Sequence, residues 1–266
     1  MNGYNGKILH VNLTSGKFHV EEPDETFYRK YMGGSALAMH YLLKDMPAGV
    51  DPLGADNRLV LALSVLTGTA ISGQSRMTAA AKSPLTGAIG DSQSGGFFPS
   101  ELKFAGYDAI VIKGKSEKPV YLWINEGKFE LRDASHLWGK ITGEAEASIK
   151  EELDDNKIEV LQIGPAGENG VRFAGIFSMS NRANGRTGMG AVMGSKNLKA
   201  IAVRGKKRPT VADKDAFKKL AKWGAKNFPE SDIAGLGKYG TAETTGANQS
   251  SGTLPTYNYN SGVFDG

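Results

Sequence analysis

The densest chemistry in this 266-residue sequence sits in Asn181-Arg182-Ala183-Asn184-Gly185-Arg186-Thr187-Gly188-Met189-Gly190-Ala191-Val192-Met193-Gly194, directly after a predicted strand. Guanidinium groups keep their charge and hold phosphate oxygens two at a time, while neighbouring glycines let backbone N–H groups reach the same oxygens. An anion site is the chemistry this spacing offers, with each charge-assisted hydrogen bond contributing about 1.5 to 3 kcal/mol. Taken alone, an arginine pair on a solvated turn describes the same residues. Arg76, in Gly73-Gln74-Ser75-Arg76, is a further phosphate-clamp candidate at the entrance to a strand. In Asp91-Ser92-Gln93-Ser94-Gly95-Gly96-Phe97-Phe98, the polar side chains offer donors and acceptors ahead of a short helix, whose positive end favours an anion. Singly, an arginine beside a strand also reads as a surface residue, and Ser-Gly-Gly as a turn.

Other chemistries find little support. Gly188-Met189-Gly190 followed by Gly194 is one residue too long for the dinucleotide fingerprint, and no acidic residue closes a βαβ unit at the proper distance. No Walker-type loop occurs. The four histidines, His10, His19, His40 and His136, are dispersed without metal-ligand spacing and read as structural. Zero cysteines exclude disulfides, thiolate-held zinc and a cysteine-ligated iron–sulfur cluster within these residues. A net charge of +4 is spread along the chain apart from Lys206-Lys207-Arg208, so no basic stripe points to nucleic acid. Neither a signal-like start nor a long apolar run is present, so the expectation is no membrane and a cytoplasmic location.

The elements that must position these residues are mostly strands. Lys7 to Val20 reads as a hairpin about Thr14-Ser15-Gly16, and 24–45 as a helix interrupted at Gly33-Gly34. Strands are expected over 58–66, 77–82, 88–89, 107–113, 120–124, 129–131, 158–163, 171–178 and 199–204, with short helices over 97–104 and 142–153, the latter capped by Thr142. Strands in short-loop succession with few helices argue an α+β fold, not a doubly wound sheet. The 35 glycines fit tight turns or close approach of backbone to a ligand. A basic, proline-containing shift at 206–210 marks a boundary between a first domain, 1–208, and a second, 209–266. The second opens with an amphipathic helix over 213–228, and beyond it 239–266 holds too few apolar residues to close a core alone, so it is expected to be the incomplete start of a mostly helical domain.

Several ordered stretches carry a resemblance. Lys82-Ser83-Pro84-Leu85-Thr86-Gly87, Ser94-Gly95-Gly96-Phe97-Phe98, Glu101 to Val111, Arg132 to Gly139, Ile163-Gly164-Pro165-Ala166-Gly167-Glu168-Asn169 and Gly190 to Ala200 resemble the N-terminal domain of aldehyde ferredoxin oxidoreductases. The likeness is dense from residue 4 to about 205 and thin beyond. It implies a saddle of two β-sheets carrying a tungsten, or molybdenum, bis-pyranopterin. Arg76, Arg182 and Arg186 would meet the pterin phosphates, Gly95 and Gly185 would give backbone contacts, and the carbonyls of Gln93 and Ala183 would serve a magnesium ion bridging the phosphates. Many relatives carry Asn at the position of Gln93, so the role expected there belongs to the backbone. The resemblance places the ligands of a 4Fe-4S cluster, and the acid–base residues, in domains beyond this chain. It implies oxidation of a small aldehyde to a carboxylic acid by the complete enzyme. Ferredoxin or an iron–sulfur subunit would accept the electrons, the missing C-terminal domains or a companion subunit would complete the molecule, and a homodimer is one assembly open to it. Two further readings share the same loops: a subunit of a related tungsten enzyme, such as a benzoyl-coenzyme A reductase or a glyceraldehyde-3-phosphate oxidoreductase, and a non-catalytic module that binds a pterin or another phosphorylated ligand.

Overall fold

The computed structural model describes all 266 residues, which divide into two compact units, Met1–Ala212 and Asp213–Gly266. The first unit runs β1 (Ile8–Asn12), β2 (Lys17–Glu21), α1 (Glu25–Lys30), α2 (Gly34–Asp45), β3 (Leu59–Leu63), β4 (Met77–Lys82), β5 (Ile89–Ser94), α3 (Phe98–Phe104), β6 (Ala109–Lys113), β7 (Val120–Asn125), β8 (Lys128–Asp133) and α4 (Thr142–Glu152). It continues with β9 (Glu159–Gln162), α5 (Pro165–Glu168), β10 (Ile176–Ser178), β11 (Arg182–Asn184), α6 (Met189–Ser195) and β12 (Leu198–Arg204). The strands form two six-stranded mixed sheets, ordered β2-β1-β6-β3-β4-β5 and β11-β10-β9-β12-β7-β8. This is the α+β fold that the strand-rich pattern predicts, with the two sheets that the family resemblance implies.

Period-two alternation sorts the side chains into layers. Leu59, Leu61 and Leu63 of β3, Ile110 and Ile112 of β6, Leu122 and Ile124 of β7, and Ile201 and Val203 of β12 meet in one core between the sheets. The intervening Val60, Ala62, Ala109 and Val111 face the opposite way and pack on Leu37, Tyr41 and Leu42 of α2 and Tyr28 of α1. On the far side, Tyr121, Val160, Ala200 and Ala202 meet Ile149 of α4. The sheets lie between helical layers, so a strand such as β3 is buried on both faces and reads as an unbroken apolar run.

The structure departs from the sequence expectations at several places. The strand expected over 171–178 is confined to Ile176–Ser178, because turns closed by Val171 N–H on Ala166 O and Ala174 N–H on Val171 O occupy the preceding residues. Thr142 is the first helical residue of α4 and not its cap; the cap position falls on Ile141, which has no capping side chain. The strand expected at 88–89 extends to Ser94, which draws Ser92, Gln93 and Ser94 out of the turn preceding α3 and into the sheet. The helix α6 within the glycine-rich segment had no counterpart in the sequence reading.

The second unit opens with α7 (Lys214–Asn227), whose N-terminus is capped by Asp213 accepting from the N–H groups of Asp215 and Ala216. Two short helices follow, α8 (Ala234–Tyr239) and α9 (Thr245–Ser251). None of its apolar side chains is buried, and Leu220, Trp223, Phe228, Ile233 and Leu236 are exposed.

Candidate anion site at the meeting of two sheet edges

Besides the core between them, the two sheets meet along the edge strands β5 and β11. Ser94 Oγ donates to Asn184 Oδ1 at 2.8 Å, Asn184 Nδ2 donates to Ser92 O at 2.6 Å, and the Arg186 N–H donates to Ser92 Oγ at 3.1 Å. Just beyond, Ser83 Oγ donates to Thr187 O at 2.7 Å. Gly96, at φ +103°, brings the chain against the second sheet so closely that a Cβ there would stand 3.0 Å from Arg182 Cγ and 3.3 Å from Ser178 Oγ.

This contact gathers most of the residues predicted from sequence. Gln93 lies on β5 between the two inward-facing serines and is exposed. Arg182 and Ala183 lie on β11, with Gly185 and Arg186 just after it, all exposed. On the first sheet, Met77 pairs with Ser94 and Thr78 with Gln93, so Arg76 and Gly95 stand opposite each other one step past the ladder. Arg76 is exposed and lines, with Gln93, Ser64, Gln74 and Thr78, a shallow concavity of about 270 Å³. A larger hollow of about 540 Å³, walled by His10, Asn12, Lys17, His19, Arg58 and Lys113, lies on another part of the same sheet and contains none of the predicted residues.

The electrostatics of the gathered arginines differ from those of the structural ones. Arg29, Arg132 and Arg204 each hold a carboxylate: Glu25 at 2.9 Å, Glu130 at 2.7 Å, and Glu101 with Asp155 at 2.7 and 2.9 Å. Arg76, Arg182 and Arg186 have no acidic partner and make no side-chain hydrogen bond, so three guanidinium groups stand available to an external anion. No group of three or more His, Cys, Asp or Glu residues is arranged to hold a metal. A metal bound here would need oxygen ligands from the backbone or from the anion itself, as a hard cation accepts.

Two corrections concern chemistry read from residue type. The hydroxyls of Ser92 and Ser94 do not face a ligand; both side chains are buried and taken up by Asn184 and the Arg186 amide. Gly190 and Gly194 do not open backbone to phosphate either. A Cβ on Gly190 would fall 2.2 Å from Gly175 O and one on Gly194 2.0 Å from Gly167 O, so these glycines let α6 pack on the backbone of neighbouring segments. Nothing in the sequence singles out Asn184; the one available signal is the Ser92-x-Ser94 alternation, which places both hydroxyls on one strand face.

The family model for the aldehyde ferredoxin oxidoreductase N-terminal domain matches residues 8–205. The chain belongs to this family. It is 48% identical, over its whole length, to the tungsten-containing aldehyde ferredoxin oxidoreductases of Thermococcus kodakarensis and Pyrococcus abyssi, and covers 44% of each. This family member therefore spans less than half the length of the curated relatives it matches. Among solved structures, it is similar to the active-site complex BamBC of benzoyl-coenzyme A reductase, with a TM-score of 0.83 and 38% identity over 86% of this chain and 35% of that one.

Proposed function

We propose that this chain forms the seat for the phosphate groups of a tungsten, or molybdenum, bis-pyranopterin, as the N-terminal part of an aldehyde-oxidising enzyme. The observation that carries the reading is that Arg182 and Arg186 flank the stitched edge while Arg76 stands opposite Gly95, just past the neighbouring ladder, each without an acidic partner. The donor set fits such a group: fixed positive charge for phosphates, and edge strands whose backbone is not fully used by the ladders. Arg182 and Arg186 hold one side of the ligand and Arg76 the other, with the backbone of Gly95 and Gly185 in contact. The carbonyls of Gln93 and Ala183 would hold a magnesium ion, supplying positive charge to offset the phosphates. Once bound, the metal–pterin group supplies the two-electron chemistry between an aldehyde and an iron–sulfur acceptor such as ferredoxin, with the 4Fe-4S ligands outside these residues. The work of this chain is to bind and orient.

A second reading, a subunit of a related tungsten enzyme, is favoured by the likeness to the benzoyl-coenzyme A reductase complex. The higher identity of 48% over the whole chain, against 38%, supports preferring the aldehyde-oxidising reading. The seat is tested by replacing Arg182 and Arg186 with Ala in the full-length protein and measuring tungsten and pterin per protein. Both are expected to fall; tungsten content equal to the parent's would overturn the assignment.

A further inference from the structure

We infer that Asn184 is the positioning residue of this site, the clamp that sets the arginines of the second sheet against the edge of the first. The inference rests on the phosphate-seat reading above and adds a residue to it. Strands β5 and β11 belong to different sheets, and no backbone ladder joins them. The core between the sheets sets their overall placement; at this edge itself, side-chain bonds fix how the two strands meet, and Asn184 makes two of them. Its amide is fully buried and used at both ends: Nδ2 on Ser92 O at 2.6 Å and Oδ1 on Ser94 Oγ at 2.8 Å. A carbonyl can only accept, so Ser92 O fixes which end of the amide faces it, and Ser94 donates to the other.

The consequence reaches the exposed residues through chain connectivity. Ser92 and Ser94 flank Gln93, and Arg182 and Gly185-Arg186 flank Asn184. Holding Ser92, Ser94 and Asn184 together on the buried side holds Gln93 and the two arginines on the outside. Ser92 Oγ continues the network to the Arg186 N–H. Losing Asn184 leaves Ser92 O and the Ser94 hydroxyl buried without partners, which drives the edges apart or admits water between them. Either result moves Arg182 and Arg186 relative to Gln93 and Arg76.

The test uses this chain and inorganic phosphate as the probe, followed by titration calorimetry, with near-ultraviolet circular dichroism as the check on folding. Arg182→Ala/Arg186→Ala weakens phosphate binding through lost charge. Asn184→Ala is expected to weaken it about tenfold, the effect of displacing a charge-assisted hydrogen bond. Added to the double arginine variant, Asn184→Ala costs no further affinity, because it acts through those side chains. Ser94→Ala weakens binding in the same direction, and Ser94→Thr, which keeps the hydroxyl, restores it. Should Asn184→Ala fail to fold, the Ser94 pair carries the comparison. Parental affinity in both Asn184→Ala and Ser94→Ala, alongside loss in the arginine variant, overturns the positioning role and leaves the seat standing. An Asn184→Ala effect that persists undiminished without the arginines also overturns it. Parental affinity in the arginine variant removes the seat, and this inference with it.

Discussion

Lys103 Nζ stands 2.6 Å from Asp108 Oδ1, with both side chains buried. The two ends of the pair are unequally provided for. Asp108 also accepts from the Tyr28 hydroxyl at 3.1 Å and from the N–H groups of Asn5 and Gly6 at 2.9 and 2.8 Å, whereas Lys103 has besides it one hydrogen bond, to Ser64 O at 3.2 Å, and the face of the Tyr4 ring, 5.3 Å from its centroid. Burial pulls the lysine below its ordinary pKa, more than its partner raises it. Removing the carboxylate leaves a buried ammonium with no counter-charge, only one carbonyl and a ring face, so Asp108→Asn is expected to cost about 3 to 5 kcal/mol. Removing the lysine leaves a carboxylate with three donors, so Lys103→Met costs about 2 kcal/mol. Urea unfolding checks the order, and equal costs would contradict this account of the pair.

Two groups make stability depend on pH near neutrality. Lys196 is fully buried, its ammonium donating to Asn57 O at 2.7 Å and Gly114 O at 3.2 Å; burial, aided by nearby Arg58, lowers its pKa from 10.5 to about 7. Between pH 7 and 10.5 the unfolded chain therefore holds the extra proton, and stability rises with pH by at most about 1.4 kcal/mol per unit. Glu159 runs the other way: burial raises its carboxyl from 4.5 to about 7, so the folded chain holds the extra proton in that window and stability falls as pH rises. Its side chain is partly open to water, which makes this limb the shallower. Unfolding at pH 5, 7 and 9 is expected to show a minimum near 7, with Lys196→Met flattening the alkaline limb and Glu159→Gln the acid one. A parental profile in both variants would refute the assignment.

Gly190 is expected to tolerate no side chain. With 2.2 Å between a new Cβ and Gly175 O, backbone has to move, and helix α6 separates from the segment that leads into β10. Gly190→Ala should lose about 2 kcal/mol or more, the range of an overpacked core. Gly224→Ala, in α7 with no atom near a new Cβ, should be neutral or stabilising by about 0.5 to 1 kcal/mol. Thermal melts of the two variants separate packing from backbone entropy; a stable Gly190→Ala would show that α6 can shift at little cost.

Much of the fold is local and was legible as such. The alternating and continuous apolar runs of β3, β6, β7 and β12 declare strands because a side chain every second residue faces each layer. Arg76, Arg182 and Arg186 are legible because guanidinium beside glycine is a local pattern, and the ordered motifs around them carry the family likeness. What the sequence by itself determined, then, was the strand-rich architecture, the family and the charged residues to weigh as candidates. The tertiary structure alone decided which polar residues remain available. Ser92 and Ser94 are turned inward to Asn184, 92 and 90 residues away, while Gln93 between them stays exposed. It also decided that Lys103 and Lys196 lie inside, and that Gly190 and Gly194 serve helix packing. These outcomes depend on contacts between segments far apart in the chain, and a periodicity that spans a few residues carries no information about which distant backbone will meet a given side chain.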